Sequence, residues 1–250
     1  MIAFITGATS GLGKATAELF AKNGYNIVIT GRRKDRLEEL STHLKSAYKV
    51  DVLSLNFDVR KLKEVESAVN SLGADWKKIN VFVNNAGLAV GLSPIQEGII
   101  DDWERMIDTN IKGLLYMTRC LSPIMIANGY GHIVNIGSIA GKEVYANGNV
   151  YCATKHAVDA LSKAMRIDLL QHNIKVTAIH PGMVETEFSI VRFKGDEDRA
   201  KNVYKGVTPL SAEDIADTIY WVASRPAHVN INDIIIMPTA QANPTHTIRK

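Results

Sequence analysis

Short apolar runs alternate with longer stretches of helical periodicity along most of the chain. Most of these runs are rich in β-branched residues and end in turn-forming residues, as buried strands do. Amphipathic stretches follow several of them, for example at 61–72 and 211–224. The alternation predicts an α/β protein. The predicted strands lie at 2–6, 26–30, 50–57, 79–83, 133–136, 174–179 and 231–237.

Two stretches stand out from this alternation. Residues 101–128 carry one long helical pattern that contains Asn110. A lone Asn in a helix is more often a satisfied core amide or a bend than a catalytic group. Residues 185–206 are polar and charged and continue neither the strand nor the helix pattern. We interpret this second stretch as a substrate lid.

The composition limits the class of protein. With 250 residues and 46% hydrophobic content, the chain can bury one sizeable core, which favours a single domain over 1–250. The formal charge of +3 and the absence of a long basic block disfavour nucleic acid as a partner. No run approaches the roughly 18 apolar residues of a membrane span, and the start lacks a signal-peptide pattern. We therefore expect a cytoplasmic protein that binds a small molecule, with no membrane partner and no metal.

The first predicted strand leads directly into a glycine-rich turn, TGATSGLG, that opens a helix. Such a turn is tight, lets the backbone approach a pyrophosphate, and presents the positive end of the helix dipole to it. The pattern, with Gly7, Gly11 and Gly13, is a variant of the dinucleotide fingerprint. Ser10 and Leu12 lie between these glycines, and we count them in the same cofactor-binding turn.

The second predicted strand ends at Thr30, and Gly31, Arg32 and Arg33 follow it. NAD-binding proteins carry an acidic residue near this point, for the ribose 2′-hydroxyl. Two guanidinium groups would instead attract a 2′-phosphate, so we predict NADP(H) rather than NAD(H) as the cofactor. The alternative is that both arginines are merely exposed at the start of a helix.

The third and fourth predicted strands end in further candidates for cofactor contact. Asp58, followed by Val59, is placed to accept a hydrogen bond from an adenine amino group, or else to be an exposed cap of the next helix. The fourth strand is followed by Asn85, Ala86 and Gly87, whose small or turn-forming character suits packing beside a cofactor.

Tyr151 and Lys155 are four residues apart, so a helix from Asn149 onward places a phenol and an ammonium on one face. A neighbouring positive charge lowers the pKa of a phenol, which predicts that Tyr151 acts as an acid and a base near neutral pH. Ser138 follows the strand at 133–136, where active sites of α/β sheets lie. The alternative is that Tyr151 and Lys155 belong to a solvated face.

The last strand-to-loop transition before the predicted lid is Pro181-Gly182. This dipeptide is typical of a turn, which directs Val184 and Thr186 toward the nicotinamide side of the cleft. The neighbours of the tyrosine and the lysine in the preceding helix, Cys152 among them, point to other faces, so we expect them to pack rather than react. Cys152 and Cys120 are too far apart in sequence to indicate a disulfide framework.

Over essentially its whole length the sequence resembles the short-chain dehydrogenase/reductase family. The resemblance implies a Rossmann fold with a doubly wound, seven-stranded parallel sheet and helices on both faces. It also implies a catalytic group of Asn110, Ser138, Tyr151 and Lys155, and frequent homotetramers. The matching pieces are TGATSGLG, Asp58-Val59, NNAG at 84–87, Asn110, Ser138, YCATK at 151–155 and PGMVET at 181–186.

Within that family, the sequence is similar to the branch that acts on 3-hydroxy acids such as serine and allo-threonine. The similarity lies at 191–196, 201–210, 225–232 and 237–241. It implies hydride transfer between NADP(H) and a 3-hydroxy acid, with Ser138 and Tyr151 binding the substrate oxygen. A broad carbonyl or sulfoacetaldehyde reductase is the alternative, and a non-catalytic NADP(H) sensor a more remote one.

A 3-hydroxy acid also requires a partner for its carboxylate. The lid offers Arg192 and Lys194. We predict Arg192, because a guanidinium binds a carboxylate through two hydrogen bonds. The alternative is a solvated lid charge.

Overall fold

A sheet of seven parallel strands forms the centre of the protein in a computed structural model that describes residues 1–250. The strand order is β3-β2-β1-β4-β5-β6-β7, and every neighbouring pair is parallel. The predicted fold is therefore confirmed. The strands are β1 (Ile2–Ile5), β2 (Asn26–Gly31), β3 (Val52–Asn56), β4 (Val81–Asn84), β5 (Gly131–Ile136), β6 (Ile174–Pro181) and β7 (Asp233–Ile236).

Helices cover both faces of the sheet, as a parallel sheet requires. On one face α1, α2 and α9 contribute to a core with Phe20, Leu44 and Ile219 fully buried. On the other face α3, α5 and α6 pack a second core that contains Met117 and Val158. The helices are α1 (Gly11–Lys22), α2 (Lys34–Tyr48), α3 (Leu62–Asn70), α4 (Ile100–Ile107), α5 (Leu114–Asn128), α6 (Asn149–Asp168), α7 (Phe188–Arg192), α8 (Glu197–Asn202) and α9 (Ala212–Ala223).

The strand order reverses between β1 and β4, and this is where open α/β sheets bind their ligands. The segments that follow β1, β4, β5 and β6 all leave the sheet at the carboxyl ends of their strands. They carry the glycine-rich turn, the 85–87 segment, Ser138 and the 182–186 segment, respectively. The topology therefore gathers motifs that are distant in sequence into one crevice.

The predicted continuous helix over 101–128 is interrupted. A π-helical turn, Asp108–Gly113, separates α4 from α5. Within this turn Asn110 exchanges hydrogen bonds with the main chain of Leu88: its Oδ1 accepts from the Leu88 amide (2.7 Å) and its Nδ2 donates to the Leu88 carbonyl (2.8 Å). These bonds tie the irregular turn to the loop after β4, and such turns occur frequently at functional sites.

The predicted lid at 185–206 contains the two short helices α7 and α8, joined by a turn with Gly195 at a φ of +94°. The end of the chain folds back against this segment, and the Lys250 amide donates to the Gly206 carbonyl (2.9 Å). No helix in the structure has both the length and the apolar character that crossing a bilayer requires.

Candidate active site

A cleft of about 710 Å³ runs across the carboxyl ends of the central strands. Almost every residue that the sequence analysis selected lines it, from the glycine-rich turn to Arg192 in the lid. The two exceptions are Gly13 and Asn110, which lie behind the wall of the cleft and shape it by packing. The cleft therefore brings the predicted cofactor and catalytic residues together in one site.

The glycine-rich turn has the geometry that a dinucleotide requires. Gly7 and Gly11 have φ values of +67° and +51°, a region that favours glycine. A Cβ atom on Gly13 would lie 2.4 Å from the Gly7 carbonyl oxygen, so only glycine lets α1 start this close to β1. The Ser10 side chain does not cap α1, which leaves the first amides of that helix available to a phosphate. These features fit a pyrophosphate group.

The two arginines after β2 differ in the hydrogen bonds and ion pairs that they form with the rest of the protein. Arg33 donates to Ser10 Oγ (2.8 Å) and to Glu187 of the lid (3.0 Å). Arg36 also donates to Glu187, at 2.7 Å. Arg32 keeps 63% of its side chain exposed, and its ion pair with Asp58 is long, at 3.9 Å. Arg32 is therefore the freer of the two predicted arginines for a 2′-phosphate.

Asp58 is not the exposed helix cap that the sequence analysis considered. It is buried, and Arg60 donates hydrogen bonds to both of its carboxylate oxygens. Burial raises the pKa of this carboxyl, but the hydrogen bonds from Arg60 outweigh that effect and hold the pKa below its ordinary value. A negatively charged acceptor thus lines the cleft, beside Val59. Contact with an adenine amino group stays a prediction.

Ser138, Tyr151 and Lys155 converge at the inner end of the cleft. Ser138 follows β5 and starts a 3-10 turn, where its Oγ accepts from the Ala140 amide (3.1 Å). Tyr151 and Lys155 are only 8% and 5% exposed. The alternative of a solvated face is therefore wrong. Lys155 Nζ donates to the Ile136 carbonyl (2.9 Å) and lies 6.0 Å from the centre of the Tyr151 ring.

The predicted lowering of the Tyr151 pKa is not found in the protein by itself. Burial raises the pKa of Tyr151 well above its ordinary value, and Ser138 and Arg192 only partly offset this. Burial also lowers the pKa of Lys155 from 10.5 to about 8. Desolvation thus dominates for both groups, since it penalises the charged form of each.

Asn110 is both a satisfied amide and part of a bend. Its Nδ2 also donates to Thr154 Oγ1 (3.0 Å) on α6, the helix that carries Tyr151 and Lys155. Its Oδ1 lies near Gly87, where a Cβ atom would lie 3.5 Å from Lys155 Nζ and 3.6 Å from Asn110 Oδ1. Asn110 therefore joins the 87–88 segment to α6 directly behind the site.

Arg192 reaches from the end of α7 into the site. Its guanidinium lies 5.5 Å from the Tyr151 ring centre and 5.4 Å from that of Tyr145, and Nη2 donates to the Tyr145 hydroxyl (2.8 Å). Its Nε is buried and has no hydrogen-bond partner. The other candidate, Lys194, points away and pairs with Asp102 at 2.8 Å.

Several residues of the cleft were not predicted from the sequence. Tyr145 orients Arg192, the Phe188 ring lies 5.8 Å from that of Tyr151, and Glu187 pairs with Arg33 and Arg36. The tail lines the cleft as well, through residues such as Thr245 and Arg249. No local motif marks these residues, because only the folding of the lid and the tail brings them to the site. Cys152 packs in a small apolar cluster, as expected.

Comparison with known proteins gives a consistent result. The family model described as short chain dehydrogenase matches residues 1–197. An NADP-dependent 3-hydroxy acid dehydrogenase of Salmonella typhi is 49% identical over 243 residues, which cover 97% of this chain and 96% of that protein. A serine 3-dehydrogenase of Agrobacterium fabrum is 45% identical over 238 residues, covering 95% and 94% of the two chains.

Solved structures agree with these relatives. The closed form of a serine dehydrogenase complexed with NADP+ superposes with a TM-score of 0.93 at 44% identity, and 100% of each chain is covered. The serine dehydrogenase from Escherichia coli superposes with a TM-score of 0.84 at 41% identity, covering 97% of this chain and 100% of that one.

Proposed function

The chain belongs to the short-chain dehydrogenase/reductase family, and on that premise we propose that it transfers hydride between NADP(H) and a small 3-hydroxy acid or its carbonyl form. Serine, L-allo-threonine and 3-hydroxypropionate represent this substrate class. Support comes from relatives at 45% and 49% identity that are a serine 3-dehydrogenase and an NADP-dependent 3-hydroxy acid dehydrogenase. The glycine-rich turn and the exposed Arg32 fit the cofactor.

The observation that carries the substrate class is the position of Arg192. Arg192 lines the cleft, and its guanidinium lies 5.5 Å from the centre of the Tyr151 ring. A carboxylate bound beside this guanidinium would accept hydrogen bonds from it and compensate its charge. Because the guanidinium lies beside the Tyr151 ring, an acid bound there would hold its neighbouring carbons close to the phenol.

Ser138 and Tyr151 then act on the substrate oxygen. In the direction of oxidation, Tyr151 must first be deprotonated; its phenolate then accepts the proton of the substrate hydroxyl and becomes the phenol, while Ser138 holds the same oxygen by a hydrogen bond. In the direction of reduction, Tyr151 returns the proton to the carbonyl oxygen. NADP(H), when bound, supplies or accepts the hydride. The raised pKa of Tyr151 keeps its phenol protonated at neutral pH, as the reduction requires.

Lys155 and Asn110 support this proton transfer. We propose that Lys155 holds the nicotinamide ribose and places a positive charge next to the phenol as it loses its proton. Asn110 holds the segment at 87–88 against α6 by the hydrogen bonds described above, and we assign it a supporting role in a water relay to solvent. Neither residue needs to exchange covalent bonds with the substrate.

Replacing Arg192 tests the carboxylate site. In Arg192→Ala, KM for L-serine should rise roughly 10- to 100-fold, because a charge-assisted hydrogen bond contributes about 1.5–3 kcal/mol. KM for the methyl ester of serine should change little. Arg199→Ala is the matched control, since Arg199 is an exposed lid arginine that stacks on Phe193. An unchanged KM for serine in Arg192→Ala would place the carboxylate elsewhere.

We further propose a homotetramer in the cytoplasm. Apolar side chains stay exposed on or beside the long helices α5 and α6, with Ile167 and Leu170 three-quarters exposed and Leu115 partly so, and subunit contacts would bury them. Both cysteines are unpaired, which suits a reducing compartment. Light scattering should give about four times the 27.5 kDa chain mass; a monomeric mass would exclude the tetramer.

A further inference from the structure

We propose that the ion pair between Lys194 and Asp102 is a latch that positions Arg192 over the active site. This inference rests on the proposed function, because it assigns a purpose to the place where the lid meets the body of the protein. Lys194 and Asp102 do not touch the catalytic residues. They act through the backbone of the lid, two residues beyond Arg192.

The buried carboxylate of Asp102 is the fixed half of the latch. Asp102 lies on α4 and is 4% exposed. Lys194 Nζ lies 2.8 Å from its Oδ2. The other cation near it is Arg105 on the same helix, at 3.9 Å from Oδ1. A buried carboxylate that lacks a close cation strongly destabilises the folded protein. The lid is therefore held in the position where Lys194 reaches Asp102.

The loop after β4 provides the second contact of the latch. The Gly91 amide donates to the Arg192 carbonyl at 3.0 Å. Gly91 has a φ of +74°, and a Cβ atom there would lie 2.7 Å from Asp102 Oδ2. Glycine at this position therefore lets the lid, the loop and α4 meet at one point. The two contacts fix the backbone on both sides of Phe193.

The conformation of the lid explains why one short segment reaches two places. Lys194 has a φ of +56° and Gly195 a φ of +94°, so the chain reverses immediately after α7. The reversal lets Lys194 reach Asp102 while Arg192 contacts the rings of Tyr145 and Tyr151. A helix as short as α7 is not stable without tertiary contacts. The latch supplies such contacts at the end that carries Arg192.

Lys194→Met tests the latch, because it removes the charge and keeps a side chain of similar length at the same backbone angle. Lys201→Met is the matched control, since Lys201 lies in the same lid and pairs with exposed Glu197 at 3.6 Å. The first readout is hydrogen exchange of the Gly91 amide in the free protein. We expect exchange about tenfold faster in Lys194→Met and unchanged in Lys201→Met.

The second readout is the ratio of KM for L-serine to KM for its methyl ester. We expect this ratio to rise about tenfold in Lys194→Met, because Arg192 loses its position. Asp102→Asn, which preserves the shape of the buried side chain, should have the same effect. The double variant should be no worse than either single variant, since both remove one interaction. Lys194→Arg should restore most of the selectivity.

The outcomes separate the latch from the proposed function. Unchanged exchange at Gly91 in Lys194→Met overturns the latch, whatever the substrate is. Faster exchange with an unchanged KM ratio overturns its role in positioning Arg192. If Arg192→Ala itself leaves KM for serine unchanged, the carboxylate binds elsewhere, and if no 3-hydroxy acid is oxidised at all, the proposed function fails. In both cases the exchange rates still decide whether Lys194 and Asp102 hold the lid.

Discussion

At Tyr151 and Lys155, burial shifts the two pKa values in opposite directions. It raises the pKa of the phenol and lowers that of the ammonium to about 8. The charged form of each group is therefore less stable here than it is in water. In the free protein the phenol is protonated, so Tyr151 can act as an acid. Its action as a base depends on positive charge that Lys155, Arg192 and a bound cofactor supply.

Removing the phenol oxygen should abolish catalysis without disturbing the fold. Tyr151→Phe preserves the ring that packs with Phe188 and removes the group that exchanges the proton. We expect kcat to fall by about 10²–10⁴-fold, with the Kd for NADPH changed less than about twofold. Steady-state rates and fluorescence titration measure the two quantities. Turnover within about tenfold of the wild type would exclude Tyr151 as the acid and base.

The buried ammonium group of Lys155 should lower the free energy of unfolding at neutral pH. Its folded pKa of about 8 lies below its ordinary value of 10.5, so the unfolded chain binds more protons between these two values. The free energy of unfolding therefore rises with pH across this window, and the cost is fully present below pH 8. At pH 7, Lys155→Met should be more stable by about 1–2 kcal/mol, after the lost hydrogen bond to Ile136 is allowed for.

Thermal unfolding at several pH values checks this expectation. Lys155→Met should unfold a few degrees above the wild type at pH 7, and the difference should shrink as pH approaches 10.5. Its turnover should be lost at every pH. A lower Tm for Lys155→Met at pH 7 would contradict the claim that burial of the charged lysine is the dominant effect.

At the scale of elements, the alternation of strands and helices was predictable because each buried strand is a short apolar run. The break between α4 and α5 was not, since the pattern over 101–128 is continuously helical and Asn110 of the π turn bonds to Leu88, 22 residues away. The order of motifs along the chain predicted the group of Asn110, Ser138, Tyr151 and Lys155, whose catalytic role stays a prediction. Tyr145 and Glu187 escaped prediction because their partners, Arg192 and Arg33, are 47 and 154 residues away.

The first turn of α1 should tolerate no side chain at Gly13. A methyl group there meets the Gly7 carbonyl oxygen, which belongs to the backbone and cannot swing aside. Gly13→Ala should therefore cost about 1–3 kcal/mol of stability and raise the Kd for NADPH by about tenfold or more. NADPH titration and denaturant unfolding measure both effects.

Gly73→Ala is the control for that substitution. Nothing lies within 4 Å of a Cβ atom at Gly73, so we expect its stability to change by less than about 0.5 kcal/mol and its NADPH affinity to stay the same. If Gly13→Ala behaved like Gly73→Ala, the close approach of α1 to β1 would not be a requirement of cofactor binding.

At the scale of the whole molecule, the lid connects the two ends of the cleft. Glu187, the residue immediately before α7, pairs with Arg33 and Arg36 at the end of the cleft predicted to bind the cofactor. The last residue of α7, Arg192, lies over Tyr151 on the substrate side. Lys194 then ties the same segment to α4. One short helix therefore faces both the site predicted for the 2′-phosphate and the site proposed for the carboxylate.

The most direct test of the proposed function is the initial rate of NADP+ reduction with L-serine, L-allo-threonine and 3-hydroxypropionate, beside uncharged alcohols of similar size. NAD+ serves as the control for cofactor selectivity. We expect activity confined to the acids, because Arg192 is placed to bind their carboxylate. We also expect a lower KM for NADP+ than for NAD+, because the exposed Arg32 is placed to bind the 2′-phosphate. Equal or faster oxidation of the uncharged alcohols would contradict the carboxylate site and leave a general carbonyl reductase.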